Sequence, residues 1–227
     1  MTDHLPEDVI VEILKRLPTK SLIRFTSVSK SWRSIILYDP KFAKSQFQLQ
    51  TVRHSRILIS NPDEPELESR DSFSSFGDDS SVRKLIRCPF IRSVHRLYGR
   101  GVNLLGSCNG LVCAQLDHHD YHIYIWNPST GFFYELPEPV GFPPRHLFLL
   151  YYGFGYLSAS DDYKVFTKFY DDDGLLIFSS KANIWKRTDA PAPLEYYPYQ
   201  GILSNEALHW LHHRNGICAF DLAKEEF

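Results

Sequence analysis

The chain has 227 residues, of which 43% are hydrophobic and 15% aromatic; that is enough to bury a core, excludes a disordered chain, and fits one large domain or a small and a medium one. With 25 basic and 27 acidic residues, its formal net charge of -2 supplies no overall electrostatic reason to bind nucleic acid or an anionic membrane. The four cysteines, Cys88, Cys108, Cys113 and Cys218, are too few for a disulfide scaffold in a chain of this length.

The N-terminus has no basic segment and no uninterrupted apolar run, because Glu7, Asp8 and Glu12 break it, so no signal peptide is expected. No stretch approaches the roughly 20 apolar residues of a membrane span. Asn127-Pro128-Ser129 carries proline where a glycosylation acceptor cannot. A soluble intracellular protein with reduced thiols, in cytosol or nucleus, is the expectation.

The first 45 or so residues have helical periodicity. Leu5, Val9, Ile10, Ile13, Leu14 and Leu17 recur at helical steps. Pro6 suits a helix start and Pro18 a helix stop. Glu7 and Asp8 sit at the positive end of the helix dipole, Lys15 and Arg16 at the negative end. Thr19 or Ser21 can cap a second helix with Leu22, Ile23 and Phe25. Ser27 or Ser29 can cap a third, with Val28, Trp32, Ile35 and Ile36 as its stripe, ended by Asp39-Pro40. Three short helices make too small a core to bury all of these residues among themselves. An amphipathic helix laid into a partner's groove would use the surplus. The competing reading docks the stripe on the chain's own later domain.

Residues 60 to 81, SNPDEPELESRDSFSSFGDDSS, are acidic and rich in Ser and Pro, the composition of a linker or mobile loop. Residues 82 to 100, VRKLIRCPFIRSVHRLYGR, then carry six Arg or Lys and no acid. A strand face beside the acidic loop accounts for them more simply than phosphate binding does.

From residue 100 the pattern is short apolar-aromatic strands between turn signals. HIYIW (122–126) and FFYEL (132–136) flank NPSTG. LLIFSS (175–180) and IWKRT (184–188) flank KAN. GICAF (216–220) is followed by DLAK and Glu225-Glu226-Phe227. Equivalent isoleucines Ile123, Ile177 and Ile217 are spaced 54 and then 40 residues apart, a loose repeat that fits propeller blades better than a sandwich.

Catalytic and metal motifs are not found. In GSCNG the serine falls one place early for a nucleophile elbow, and GRGVNLLG has the wrong glycine spacing for a nucleotide loop. Cys108 and Cys113 lie in an apolar strand and read as core thiols. His209, His212 and His213 with Cys218 suggest zinc, but His212 points away from the other two on a strand and no CxxC supports them. Asp171-Asp172-Asp173-Gly174 reads as a hairpin turn rather than a calcium loop. A non-enzymatic protein with no cofactor and no metal is expected.

LPEDVIVEILKRLPTKSLIRFTSVSKSWRSII resembles an F-box. The strand region is similar to the plant F-box-associated domain of type 1, a kelch-like propeller. That second match is carried by Gly106-Ser107-Cys108-Asn109-Gly110-Leu111, Trp126-Asn127-Pro128-Ser129-Thr130-Gly131, Gly153-Phe154-Gly155-Tyr156 with Asp161-Asp162-Tyr163-Lys164-Val165, Ala207-Leu208-His209-Trp210-Leu211, and Phe220-Asp221-Leu222 with Glu225-Glu226-Phe227. The fold it implies is α+β and multidomain. A three-helix F-box (1–46) leads through a connecting segment (47–100) into an all-β propeller-like domain (101–227). In the family the strand region continues past the last motif, so an incomplete domain of three to four blades is expected here.

The resemblance implies a substrate-recognition subunit of a Skp–cullin–F-box ubiquitin ligase. It would bind the Skp-type adaptor, and through it the cullin–RING ligase, together with an unknown protein substrate. Leu5, Pro6, Ile10, Leu14, Leu17, Pro18, Leu22, Val28 and Trp32 are the implied adaptor contacts, while Val9, Ile13, Phe25 and Ile36 are expected to hold the helices together. Tyr196, Tyr197 and Tyr199, among prolines, are candidate substrate contacts, since rigid tyrosines suit recognition surfaces. The alternatives are a truncated F-box protein that binds the adaptor without a working substrate domain, and a ligand- or glycan-binding β domain.

Overall fold

The computed structural model describes residues 5–51, 56–61, 64, 66–71, 84–91, 101–116, 122–140, 149–169, 174–188, 199–212 and 216–227. The chain divides into two compact units, the helices with most of the first sheet in one and the later sheets in the other.

Helix α1 (Glu7–Lys15) starts at Pro6, whose carbonyl accepts from Ile10 N at 3.1 Å, and its first turn holds Glu7 and Asp8. α2 (Thr19–Phe25) starts in the same way at Pro18 rather than at a Thr or Ser side chain. For α3 (Lys30–Tyr38) the capping residue is Ser29, whose Oγ accepts from Trp32 N at 3.1 Å. Asp39-Pro40 ends α3 as expected and also begins a fourth helix, α4 (Pro40–Thr51). Asp39 Oδ1 accepts from Lys41 N at 2.8 Å and Phe42 N at 3.3 Å, and proline at a first helical position sacrifices no hydrogen bond.

The fourth helix completes the module's core. Leu14, Leu22 and Phe42 are buried together, with Ile10, Val11, Leu17, Phe25, Trp32, Ile35 and Ile36 packed against them. Trp32 meets Phe25 edge-on at 5.8 Å. Gln46 of α4 donates to Leu17 O at 3.3 Å and Thr19 Oγ1 at 3.4 Å, tying it to the α1–α2 corner.

The first sheet contains β1 (Arg56–Ile59), β2 (Glu66–Asp71) and β3 (Lys84–Arg87). β2 lies inside the stretch read as a linker. Leu67 and Ser69 are buried while Glu68 and Arg70 pair at 2.5 Å, so Glu66, Glu68 and Arg70 of this apparent spacer belong to one side of a strand. Arg56 fixes the register by donating to Ser69 Oγ at 2.7 Å and Ser69 O at 3.1 Å. Residues 72–83 and 92–100 lie outside the described residues.

The second sheet is a four-stranded antiparallel meander: β4 (Val102–Cys108), β5 (Leu111–Leu116), β6 (Ile123–Trp126) and β7 (Phe133–Glu135). Asn109 (φ 51°) and Gly110 (φ 77°) join β4 to β5, a two-residue turn whose positive φ angles suit the right-handed twist of a hairpin. The third sheet repeats the meander with β8 (Leu149–Leu157), β9 (Asp162–Phe169), β10 (Leu175–Ser179) and β11 (Ile184–Thr188), and adds β12 (Tyr199–Gln200) parallel to β8. The fourth holds β13 (Ile202–Ser204), β14 (Ala207–His212) and β15 (Gly216–Asp221). After β15 the chain turns back, pairing Asp221 with Glu226.

These three sheets pack face to face. Leu105, Cys113, Ile123 and Leu136 of the second meet Phe154, Val165 and Phe178 of the third. On its opposite face the third offers Tyr151, Phe166, Leu175 and Ile177 to Leu208, Trp210, Phe220 and Leu222. A Cβ at Gly153 would stand 2.6 Å from a Leu208 methyl, and one at Gly155 would meet Leu222 and Leu203. Buried Asp162 accepts from Ser179 Oγ (2.7 Å), Ser180 Oγ (3.0 Å) and Lys181 N (2.9 Å), locking β9 to the turn after β10.

Because α4 supplies one of the three buried hydrophobic side chains of the helical core among the described residues, Phe42→Ala is expected to cost about 3–5 kcal/mol. Chemical denaturation followed by circular dichroism at 222 nm measures it. A loss below about 1 kcal/mol would mean that α4 is not part of the core.

Candidate partner-binding face

The helices sort their apolar residues into two stripes. Leu14 and Leu22 have 0% and 3% of their surface exposed, whereas Leu5 and Val28 expose 58% each, Val9 40% and Ile13 46%. Ile10, Leu17 and Trp32 are half-buried, and Pro6 and Pro18 are exposed.

Seven positions therefore depart, in whole or in part, from the expected division: Ile10, Leu17 and Trp32, expected to face a partner, are half-buried against the module's own core. Leu14 and Leu22, expected to face a partner, lie in the module's own core, and Val9 and Ile13, expected inside, face solvent. On α1 the outward stripe is Leu5, Val9 and Ile13, each four residues apart, and the inward one is Ile10, Leu14 and Leu17. Both spacings are helical, so a short segment with apolar residues at all six positions permits either division. Phe25 and Ile36, half-buried, pack against the core as the sequence suggests.

Leu37, Tyr38 and Leu49 are further exposed apolar residues on α3 and α4 that the sequence reading did not single out. The signal was there in Ile35-Ile36-Leu37-Tyr38, since four successive positions on a helix cannot all face inward. Beside the α1 stripe, Glu12 pairs with Lys15 at 2.7 Å, and that hydrogen bond holds its carboxyl below the usual carboxylate range.

Elsewhere the chemistry is that of packing. Burial pushes the Cys88 thiol up to about 12 and raises Cys113, Cys108 and Cys218 as well, the opposite of what a nucleophilic thiolate needs. Tyr156 donates to Asp161 Oδ1 at 2.7 Å, and this bond, with lesser help from burial, pushes its hydroxyl up to about 12. Among the described residues no three His, Cys, Asp or Glu side chains converge on a common point. His209 and His212 sit on β14, and His213 lies outside the described residues, as do Asp171, Asp172, Asp173, Tyr196 and Tyr197. Tyr199 opens β12. None of the described helices is long and apolar enough to cross a membrane.

Residues 3–44 match the model of the F-box domain, and residues 92–227 match that of the F-box associated beta propeller domain. The chain belongs to the F-box proteins with an associated beta propeller domain. It is 33% identical to the F-box protein CPR1 of Arabidopsis thaliana, over 98% of this chain and 59% of that protein. An F-box/kelch-repeat protein of the same plant is 28% identical over 99% of this chain and 64% of its own length. This F-box protein thus spans about three fifths of the length of these relatives. The first match takes in α1 to α3 and the start of α4, and the second takes in the stacked meanders.

The thiols of this F-box protein give a direct check on burial. Cys88 and Cys113 are expected to resist an aromatic disulfide reagent at pH 8, reacting at least about a hundredfold more slowly than in denaturant. Stopped-flow absorbance at 412 nm measures the rates, and fast native labelling of Cys113 would contradict its place between the sheets.

Proposed function

We propose that this protein is a substrate-recognition subunit of a Skp–cullin–F-box ubiquitin ligase. Residues 1–46 dock on a Skp-type adaptor, residues 47–100 connect, and the β domain from 101 onward holds a protein target for ubiquitin transfer by other subunits and for proteasomal degradation. The chain performs no covalent chemistry in this reading; it supplies proximity. It does so in cytosol or nucleus.

The observation that carries the reading is an F-box match over residues 3–44 that coincides with exposed apolar residues on a helical module. Leu5, Pro6, Val9, Ile13, Pro18 and Val28 are the proposed first contacts, because they are exposed. Ile10, Leu17 and Trp32 add their outer edges, and Leu14 and Leu22 support the face from beneath. Apolar helical residues buried in a partner's groove carry most of the affinity in such complexes. Tyr196, Tyr197 and Tyr199 are proposed target contacts on the β domain.

Binding of the chain to a purified Skp-type adaptor, measured by biolayer interferometry, tests this. Leu5→Asp combined with Val28→Asp is expected to weaken binding at least about tenfold without changing the far-ultraviolet circular dichroism spectrum, because both side chains are exposed. Unchanged affinity in a folded double variant would overturn the assignment of this face.

A further inference from the structure

One turn closes three of the sheets. Asn127 and Phe132 bracket it after β6, Ser179 and Ile184 after β10, and Asp221 and Glu226 after β15. The fifth residue is left-handed each time: Gly131 at φ 82°, Asn183 at φ 56° and Glu225 at φ 58°. Asn183 N donates to Ser179 O, and Glu225 N to Asp221 O, both at 2.8 Å. Glycine and asparagine are the residues that take this conformation at least cost. Glutamate is not, and strain retained at one copy of a repeated turn points to a task for its side chain.

The Glu225 carboxylate accepts from Lys164 Nζ on β9 at 2.5 Å and from Lys186 Nζ on β11. The Lys164 side chain is only 10% exposed, whereas that of Lys186 is 62% exposed. A buried ammonium that loses its partner is strongly destabilising, while an exposed one merely regains water. Burial pushes the Glu225 carboxyl up, and hydrogen bonds from Lys164 and Lys186 outweigh it, leaving it below the usual range.

Neighbouring residues close on the same seam. Leu222 is fully buried in the core between the third and fourth sheets. The Phe227 ring lies against Phe220 (5.1 Å), Phe166 (6.3 Å) and Trp210 (6.4 Å). Asp221 Oδ1 stiffens the turn by accepting from Ala223 N at 2.9 Å and Lys224 N at 3.0 Å.

We propose that Glu225 closes a clasp that fastens the fourth sheet to two strands of the third, and that β13–β15 with residues 221–227 open as one unit when it is released. The left-handed glutamate is kept because its carboxylate is needed at that point between the lysines.

Substituting Glu225→Asn separates this from a turn that merely tolerates glutamate, since the two readings predict opposite signs. Relief of strain alone makes the variant more stable; loss of the clasp makes the fourth sheet looser. Native-state hydrogen exchange by mass spectrometry on the full 227-residue chain is the readout. Exchange in β13–β15 and 221–227 is expected to rise about tenfold or more, with β4–β7 unchanged. Adding Lys164→Met to Glu225→Asn should recover part of the loss, because the buried charge goes with its partner. Slower or unchanged exchange, or a rise of equal size in every sheet, would overturn the proposal. Should the Asn variant not fold, Lys186→Met decides it. A rise of about threefold confined to the same segment supports the clasp, and no rise or a uniform one overturns it.

Discussion

The third sheet has a neighbour on each of its faces, and the conformation of β8 follows from that. Its alternate side chains cannot all be large, because two sheets must approach within about 10 Å on either side. Phe154 fills the seam toward the second sheet, while Gly153 and Gly155 leave room for Leu208, Leu203 and Leu222 of the fourth. The second sheet has its own version at Gly106, where a Cβ would stand 2.8 Å from that of Phe154. Each seam is thus a large side chain entering a gap made by a missing one. Each side chain so buried is worth about 1.5–3 kcal/mol, which lets these sheets tolerate buried polar anchors such as Asp162.

The helical module works under a tighter limit. Three fully buried hydrophobic side chains make a small core, and local devices supplement it: Ser29 and Asp39 as caps, Gln46 across the corner, and Ser31 donating to Glu7 at 3.0 Å. Apolar residues that such a core cannot accommodate are left outside. A face that could pair with another protein is therefore a by-product of size as much as a specialised feature.

Much of this was legible in the sequence. The end of helical periodicity near residue 45, the strand–turn–strand units around NPSTG and KAN, and the turn after GICAF are all present, because turn residues and strand alternation act locally. What stayed hidden depends on partners distant in sequence. β2 reads as a spacer until Leu67 and Ser69 find a neighbouring strand to bury them. α4 is masked because Asp-Pro stops one helix and starts another with the same two residues. The two stripes of α1 are equivalent until Phe42, nearly thirty residues later, selects Leu14 for the inside. β12 pairs in parallel with β8, and no local pattern announces a parallel partner.

The four tryptophans of the chain fall one to each structural layer outside the first sheet. Trp32 stands in the helical module beside Phe25, and Trp126 in the second sheet with Phe90 edge-on at 6.0 Å. In the third sheet, Trp185 donates its indole N–H to Pro137 O at 2.6 Å, while Trp210 of the fourth lies 5.0 Å from Phe166. Their surroundings differ in polarity, from the half-wet indole of Trp32 to the enclosed one of Trp126, whose Nε1 meets no hydrogen-bond acceptor among the described residues. Emission wavelength follows that polarity. The protein consequently carries a built-in optical label for each layer, and versions retaining a single indole would let the layers be watched separately as they come apart.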